Sequence, residues 1–353
     1  MGEMRRELVF IGPINVGNIP LAGDYMKNQM FLKRFEEVFD SIISIDTINW
    51  KKRPWLLVKI IIILLLFRKA SVILSVNTGS ADSLIKILRL FHFDKRIHYW
   101  VIGGAIHKEF ESNVFRVKNY LGLKAILVQG ESMADSLKSC GLTNVFYIPN
   151  SKYIDYTPIR TNKSDGVIHF VFLSRLEQYK GCDEIIQASG VLRDLGYEGK
   201  YDITFYGKTI SGPDYYNLFI NRIEKKPEIK YLGPIDLRDM KNYDELAKYD
   251  VMLFPTFWNG EGFPGVVIDA FIAGIPIIAS DWNLNKEVVD DGNTGWIVPV
   301  HDVQALADQM KYIIDNPHVL KAMSRKCQKK AADYDSRVVL SEENLKKINL
   351  FMI

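Results

Sequence analysis

Twelve short apolar runs, rich in β-branched residues, alternate with helix-length stretches along this chain of 353 residues. In the first half they are Leu8–Ile11, Ile42–Ile45, Ser71–Val76, Ile97–Ile102, Ala125–Val128 and Val145–Ile148. In the second half they are Ile168–Leu173, Tyr201–Tyr206, Ile229–Leu232, Val251–Phe254, Pro276–Ala279 and Trp296–Val298. Strands separated by helices connect through right-handed βαβ crossovers and build parallel sheets. Six strands on each side predict an α/β protein of two doubly wound, Rossmann-like domains rather than one long sheet. The polar segment from Tyr156 to Gly166 (YTPIRTNKSDG) has no periodicity and reads as the linker, dividing residues 1–156 from 157–335. The tail, 336–353, carries Val338, Leu345, Ile348 and Met352 at helix-compatible spacings, as for a C-terminal helix that packs back on a domain.

Lys and Arg total 45 against 42 Asp and Glu, a net +3. That balance argues against a general nucleic-acid binder, and the 48% hydrophobic content argues against disorder. Cys140, Cys182 and Cys327 spell neither a disulfide framework nor a zinc knuckle, which suits a reducing, cytoplasmic setting. The first apolar run is broken by Gly12-Pro13, unlike a secretory leader. Trp55 to Phe67 (WLLVKIIIILLLF) is apolar but contains Lys59 and falls short of the roughly 20 residues needed to span a bilayer. Lys51, Lys52 and Arg53 precede it, and Arg68 and Lys69 follow. It reads as a buried helix of an α/β layer, or as a peripheral membrane contact through residues 51–69.

Ligands of open parallel sheets bind beyond the carboxyl ends of the strands, so the loops there carry the function. The loop after Val251–Phe254 contains Glu261-Gly262-Phe263-Pro264-Gly265 and then a helix. Its glycines admit close approach, and the helix N-terminus favours an anion or a ring of hydroxyl oxygens. Glu261 can accept from sugar hydroxyls, and Asp269, two turns on, can face the same ligand. The competing reading is a helix-capping Glu261 and a surface Asp269. After Ile168–Leu173, Arg175 and Lys180 flank a turn with Gly181, a fork and a point charge suited to a diphosphate, or else two surface cations. The first loop, Gly12 to Gly23, lacks the dinucleotide spacing but offers Asn15 and Asn18 to a sugar. His107, after Gly103-Gly104, is able to donate to a hydroxyl or shuttle a proton. The other histidines show no metal-ligand spacing, and Asp333-Tyr334-Asp335 reads as helix punctuation.

In order and spacing, FLSRLEQYKG (Phe172–Gly181), EGFPGVVIDAFIAGIPIIASD (Glu261–Asp281) and EVVDDGNTGWIVP (Glu287–Pro299) resemble the retaining glycosyltransferases of family 4. The resemblance runs from Val167 to about Asp302. It implies the GT-B fold, in which two Rossmann-like domains face a central cleft. It also implies that Arg175 and Lys180 hold the donor diphosphate. Glu261 would then contact the donor sugar, with backbone groups of Gly262, Phe263, Pro264 and Gly265, and Asp269 the nucleotide ribose. Asp269 is one methylene shorter than the family's usual Glu. Where the family often has a His directly after the strand matching Ile97–Ile102, Gly103-Gly104 stands here and His107 comes later. Gly23 matches the family's first glycine loop. The expected partners are a nucleotide-diphosphate sugar and a glycan acceptor, lipid-linked as in bacterial surface polysaccharide assembly, with no metal and no other cofactor. A sugar-nucleotide epimerase and a catalytically silent sugar-nucleotide-binding protein are the competing readings.

Overall fold

The computed structural model describes residues 6–14, 23–160, 166–209 and 212–351. The chain forms two compact units, Met1–Tyr153 with Tyr334–Ile353, and Ile154–Asp333.

The first unit runs β1 (Glu7–Gly12), α1 (Gly23–Phe35), β2 (Ser41–Asp46), α2 (Pro54–Leu66), β3 (Ser71–Leu74) and α3 (Thr78–Leu90). It continues with β4 (Ile97–Trp100), α4 (Ile106–Glu111), β5 (Ala125–Val128), α5 (Glu131–Ser139) and β6 (Val145–Tyr147). Its strands form one sheet in the order β2-β1-β3-β4-β5-β6, parallel at every pairing. Helices on both faces leave the central strands no wet side, hence the wholly buried SVIL, IHYW and AILV of β3, β4 and β5. An aromatic cluster sits at the middle of this core, where Phe31 and Trp100 ring centroids lie 4.2 Å apart.

The second unit runs β7 (Ile168–Leu173), α6 (Cys182–Asp194), β8 (Tyr201–Tyr206), α7 (Pro213–Ile223), β9 (Ile229–Tyr231), α8 (Tyr243–Leu246) and β10 (Val251–Phe254). Then come α9 (Gly265–Ile272), β11 (Ile277–Ser280), α10 (Asn285–Val288), β12 (Gly295–Val298), α11 (Val303–Asp315) and α12 (Val319–Asp333). The sheet order is β12-β11-β10-β7-β8-β9, again parallel throughout. The chain therefore reverses direction across the sheet between β7 and β10, the place where open α/β sheets bind their ligands. All twelve sequence-inferred strands are present, within one or two residues at each end.

Within the sequence-inferred linker, Tyr156 to Arg160 are bonded into the second unit. Tyr156 donates to Asp244 at 2.6 Å, and the Arg160 guanidinium reaches Ser324 Oγ at 3.1 Å and Asp250 at 3.7 Å. Residues 161–165 lie outside the described residues.

Two expectations are corrected. The tail is not one helix but two, α13 (Ser336–Val339) and α14 (Glu342–Lys347), because Ser341 stops the first and caps the second by accepting from the Asn344 amide. Val338 faces solvent, whereas Val339, Leu340, Leu345 and Ile348 are buried on the first unit's core with Leu8 and Phe10, and Met352 lies outside the described residues. Asp335 caps α13 through the Arg337 amide at 2.8 Å, a helix-starting role. Second, α2 is not a wholly buried helix: only Leu56, Ile60 and Leu64 are buried.

His98 on β4 clamps the tail, its ring nitrogens 3.3 Å from Val72 O and 3.1 Å from Ile348 O. Burial pushes its imidazole down to about 4. The unfolded chain, with histidine near 6.5, takes up the proton first, so stability is complete above about pH 6.5 and falls as pH drops toward 4. Across that window the loss amounts to about 3 kcal/mol, and urea midpoints of His98→Gln should show a shallower pH slope than the parent chain.

Candidate active site

Arg175 and Lys180 follow β7, and Pro255 to Pro264 follow β10, so both segments lie at the reversal point of the second unit's sheet. Two close approaches hold the segments in place. Gly181 has φ +81°, and a Cβ there would fall 2.4 Å from Pro255 O, so only glycine lets the start of α6 pass beneath the β10 loop. A Cβ on Gly207, after β8, would lie 1.8 Å from Ser174 O, which brings β8's end against the residue preceding Arg175. The Phe257 amide then donates to Tyr179 O at 2.9 Å, stitching one loop to the other.

Lys180 and Glu261 form a buried ion pair, with side chains 4% and 12% exposed. The same Glu261 oxygen accepts from Thr256 Oγ1 at 3.2 Å. Burial lowers the Lys180 pKa from its ordinary value, and the Glu261 charge opposes that shift. Glu261 is not a helix cap: Pro264 occupies the N-cap of α9 and no side chain caps it. Gly262 and Phe263 form the turn between, and Gly265 is the first residue of α9. The leading amides of α9 thus carry the positive end of the helix dipole with no carboxylate spent on them.

Trp258 is the residue that sequence reasoning missed. Its indole receives the Arg175 guanidinium at 4.6 Å and the Lys180 ammonium at 4.3 Å from the ring centroid. Tyr179 stacks alongside at 6.0 Å, and Trp282 Nε1 fixes the Trp258 carbonyl at 2.8 Å. Asn283 does the same for the Glu261 carbonyl at 2.9 Å. An indole that receives two cations offsets their mutual repulsion. The signal lay in the segment PTFWNGEGFPG, where a tryptophan stands beside the acid of a glycine-rich loop. Arg175 is half-buried and, among the described residues, has no carboxylate partner.

The structure thus joins Arg175, Lys180 and Glu261. Asp269 is buried on α9 and accepts a hydrogen bond from the Tyr243 hydroxyl. Burial and the Asp269 charge hold Tyr243 well above the ordinary phenol range, so it remains a donor. Gly23 and His107 belong to the other unit. Gly23 opens α1, where a Cβ would meet nothing within 4 Å. His107 sits in the first turn of α4 with Nδ1 buried and unpaired among the described residues, and burial lowers its pKa, leaving a neutral ring. Asn15 and Asn18 lie outside the described residues. A cavity of about 460 Å³ opens elsewhere, beside Asp281, Lys286 and Asp291, and none of Arg175, Lys180 or Glu261 lines it.

Two doubly wound parallel sheets in one chain, with Arg175, Lys180 and Glu261 gathered at the second sheet's reversal point, place the protein in the GT-B class of α/β folds. Solved structures of that architecture superpose on it. Sucrose-phosphate synthase of Thermosynechococcus elongatus does so with a TM-score of 0.74 at 12% identity, over 97% of this chain and 98% of that one. HepE of Anabaena, solved with UDP and glucose, gives 0.69 at 15% identity, over 98% and 99%. These likenesses establish the fold. The family model for glycosyl transferases group 1 matches residues 157–333, and the chain belongs to that family. The capsular polysaccharide biosynthesis glycosyltransferase CapM of Staphylococcus aureus is 26% identical over 185 residues, 51% of this chain and 46% of CapM. Several curated relatives are matched over only 36% to 52% of their own length.

The buried pair makes a stability prediction that separates fold from chemistry. Lys180→Met or Glu261→Gln alone strands one charge and should cost about 3–5 kcal/mol in urea unfolding, whereas the double substitution should recover most of that loss.

Proposed function

We propose that this protein is a retaining glycosyltransferase that moves a sugar from a nucleotide-diphosphate donor to a glycan acceptor in surface polysaccharide assembly. One observation carries the reading: the Arg175 and Lys180 cations both pack on the Trp258 indole beside Glu261, at the sheet's reversal point. Family membership supports it, and so does the likeness to CapM. HepE, bound to UDP, supports a uridine diphosphate donor as the first to try.

In this reading the leaving diphosphate gains negative charge as the glycosidic bond breaks. Arg175, Lys180 and the leading amides of α9 meet that charge in place of a divalent ion. Trp258 and Glu261 hold the two cations ready, so little reorganisation is needed when the charge appears. Glu261 and the backbone of Gly262, Phe263, Pro264 and Gly265 take the donor sugar, and Asp269 takes the ribose. The acceptor hydroxyl attacks from the face the diphosphate leaves, and a donor phosphate oxygen takes its proton. Gly23 and the neutral His107 are assigned to contacts with sugar hydroxyls. A lipid-linked acceptor is supported by the apolar, basic-flanked helix α2.

A panel of nucleotide sugars screened by thermal shift tests the donor, since a ligand of the native state raises the melting temperature. Arg175→Ala breaks no ion pair and should keep the ligand-free melting temperature. It should lose the ligand-induced rise and depress turnover on the order of 10²–10³-fold. Near-normal turnover, with the rise intact, would refute the diphosphate assignment. The anomeric configuration of the product, read by NMR, decides retention.

A further inference from the structure

We infer that α2 is a membrane-docking helix that lies flat on an anionic lipid surface, its outer face inserted among the acyl chains. Leu56, Ile60 and Leu64, spaced by four, are its buried stripe. Trp55, Val58, Ile62, Leu65 and Leu66 are 45–73% exposed, with Lys59 exposed among them. At 3.6 residues per turn these six fall within about a third of the helix circumference, directly opposite the buried stripe. Five large apolar side chains on one solvent-facing arc form a contiguous patch of the kind that marks an interaction surface.

The helix is held firmly from beneath. Arg96 donates to Leu64 O at 3.0 Å and Ala70 O at 2.8 Å, and also to Phe67 O, so the carbonyls at and beyond the end of α2 are tied to the first unit. The apolar arc is therefore presented rigidly. Its thirteen residues span about 20 Å, too short to cross a bilayer but suited to lying in its plane.

Charge selects the occupant. Lys51, Lys52 and Arg53 stand before the helix, Arg68 and Lys69 after it; all five are exposed, and none pairs with a carboxylate among the described residues. Cations at both ends of an apolar arc match a layer whose phosphates lie above its acyl chains, and Lys59 can extend its ammonium back to that level. Trp55, at the N-terminal end, suits the boundary between headgroup and chain. This inference goes beyond the sugar-transfer reading and does not depend on it, because the measurement is adhesion without donor or acceptor.

The full-length chain is sedimented with phosphatidylcholine vesicles, with and without phosphatidylglycerol. It should partition onto the anionic vesicles, less so as salt rises. The triple variant Lys51→Gln, Lys52→Gln, Arg53→Gln should bind on the order of a hundredfold more weakly, at roughly fivefold per cation. Ile62→Ser with Leu66→Ser should reduce sedimentation to the neutral-vesicle level at an unchanged melting temperature. Trp55→Phe should remove the blue shift of tryptophan emission on vesicle addition. Absence of partition, equal partition onto neutral vesicles, or a lipid-free dimer dispersed by Leu66→Ser would each overturn the inference, the last by making the face a self-association surface.

Discussion

Lys180 and Glu261 are 81 residues apart in sequence, and their buried pair closes the second unit's site. Removing two ions from water is costly, and their attraction repays the cost only where further partners complete the geometry. Here Thr256 supplies a hydrogen bond to the carboxylate and Trp258 a π face to the ammonium. Neither side chain could be placed without the other's loop. The pair ties the segment after β7 to the segment after β10 at the reversal point of the sheet. The glycine contact of Gly181 with Pro255 and the Phe257–Tyr179 bond follow the same seam. A hydrophobic pair of equal volume would serve stability as well; a charged one also keeps an ammonium within reach of an incoming anion.

The first unit shares the topology but spends its polar groups differently. Its own reversal lies between β1 and β3, and there Asn28 bridges Pro13 O at 3.0 Å and Ser75 O at 3.3 Å while accepting from Ser75 Oγ at 2.6 Å. Those bonds fix loops without leaving a cation open. Lys27, buried beside them, donates to Val101 O at 3.3 Å. Among the described residues, this reversal point is held by an amide and by a lysine on a carbonyl, while that of the second brings Arg175 beside the Lys180–Glu261 pair. The difference lies in side chains rather than in fold, as expected where many chemistries share one architecture.

The sheets were legible because period-two and buried strands in a βαβ alternation admit few topologies. The cationic loops were legible too, since Arg175, Lys180 and Glu261 each follow a strand. Their pairing was not, because no local pattern couples positions so far apart, and Trp258 hid among core-like aromatics. The tail misled because its apolar spacing suited one helix, while Ser341 imposed a stop through a side-chain bond that periodicity does not register. In α2 the cause was different. A run that is apolar on nearly every side, with Lys59 its one charge, carries little moment, so its inner and outer faces are poorly marked in sequence. Only the packing of Leu56, Ile60 and Leu64 decides it.

Asp269 shows how a substitution of one methylene is absorbed. The buried aspartate meets the Tyr243 hydroxyl at the start of α8. A carboxylate has about four lone-pair sites, and the phenol occupies one. The bond fixes the rotamer and uses a donor whose proton the buried setting retains. Tyr243 thereby fixes the position of a buried acid on α9.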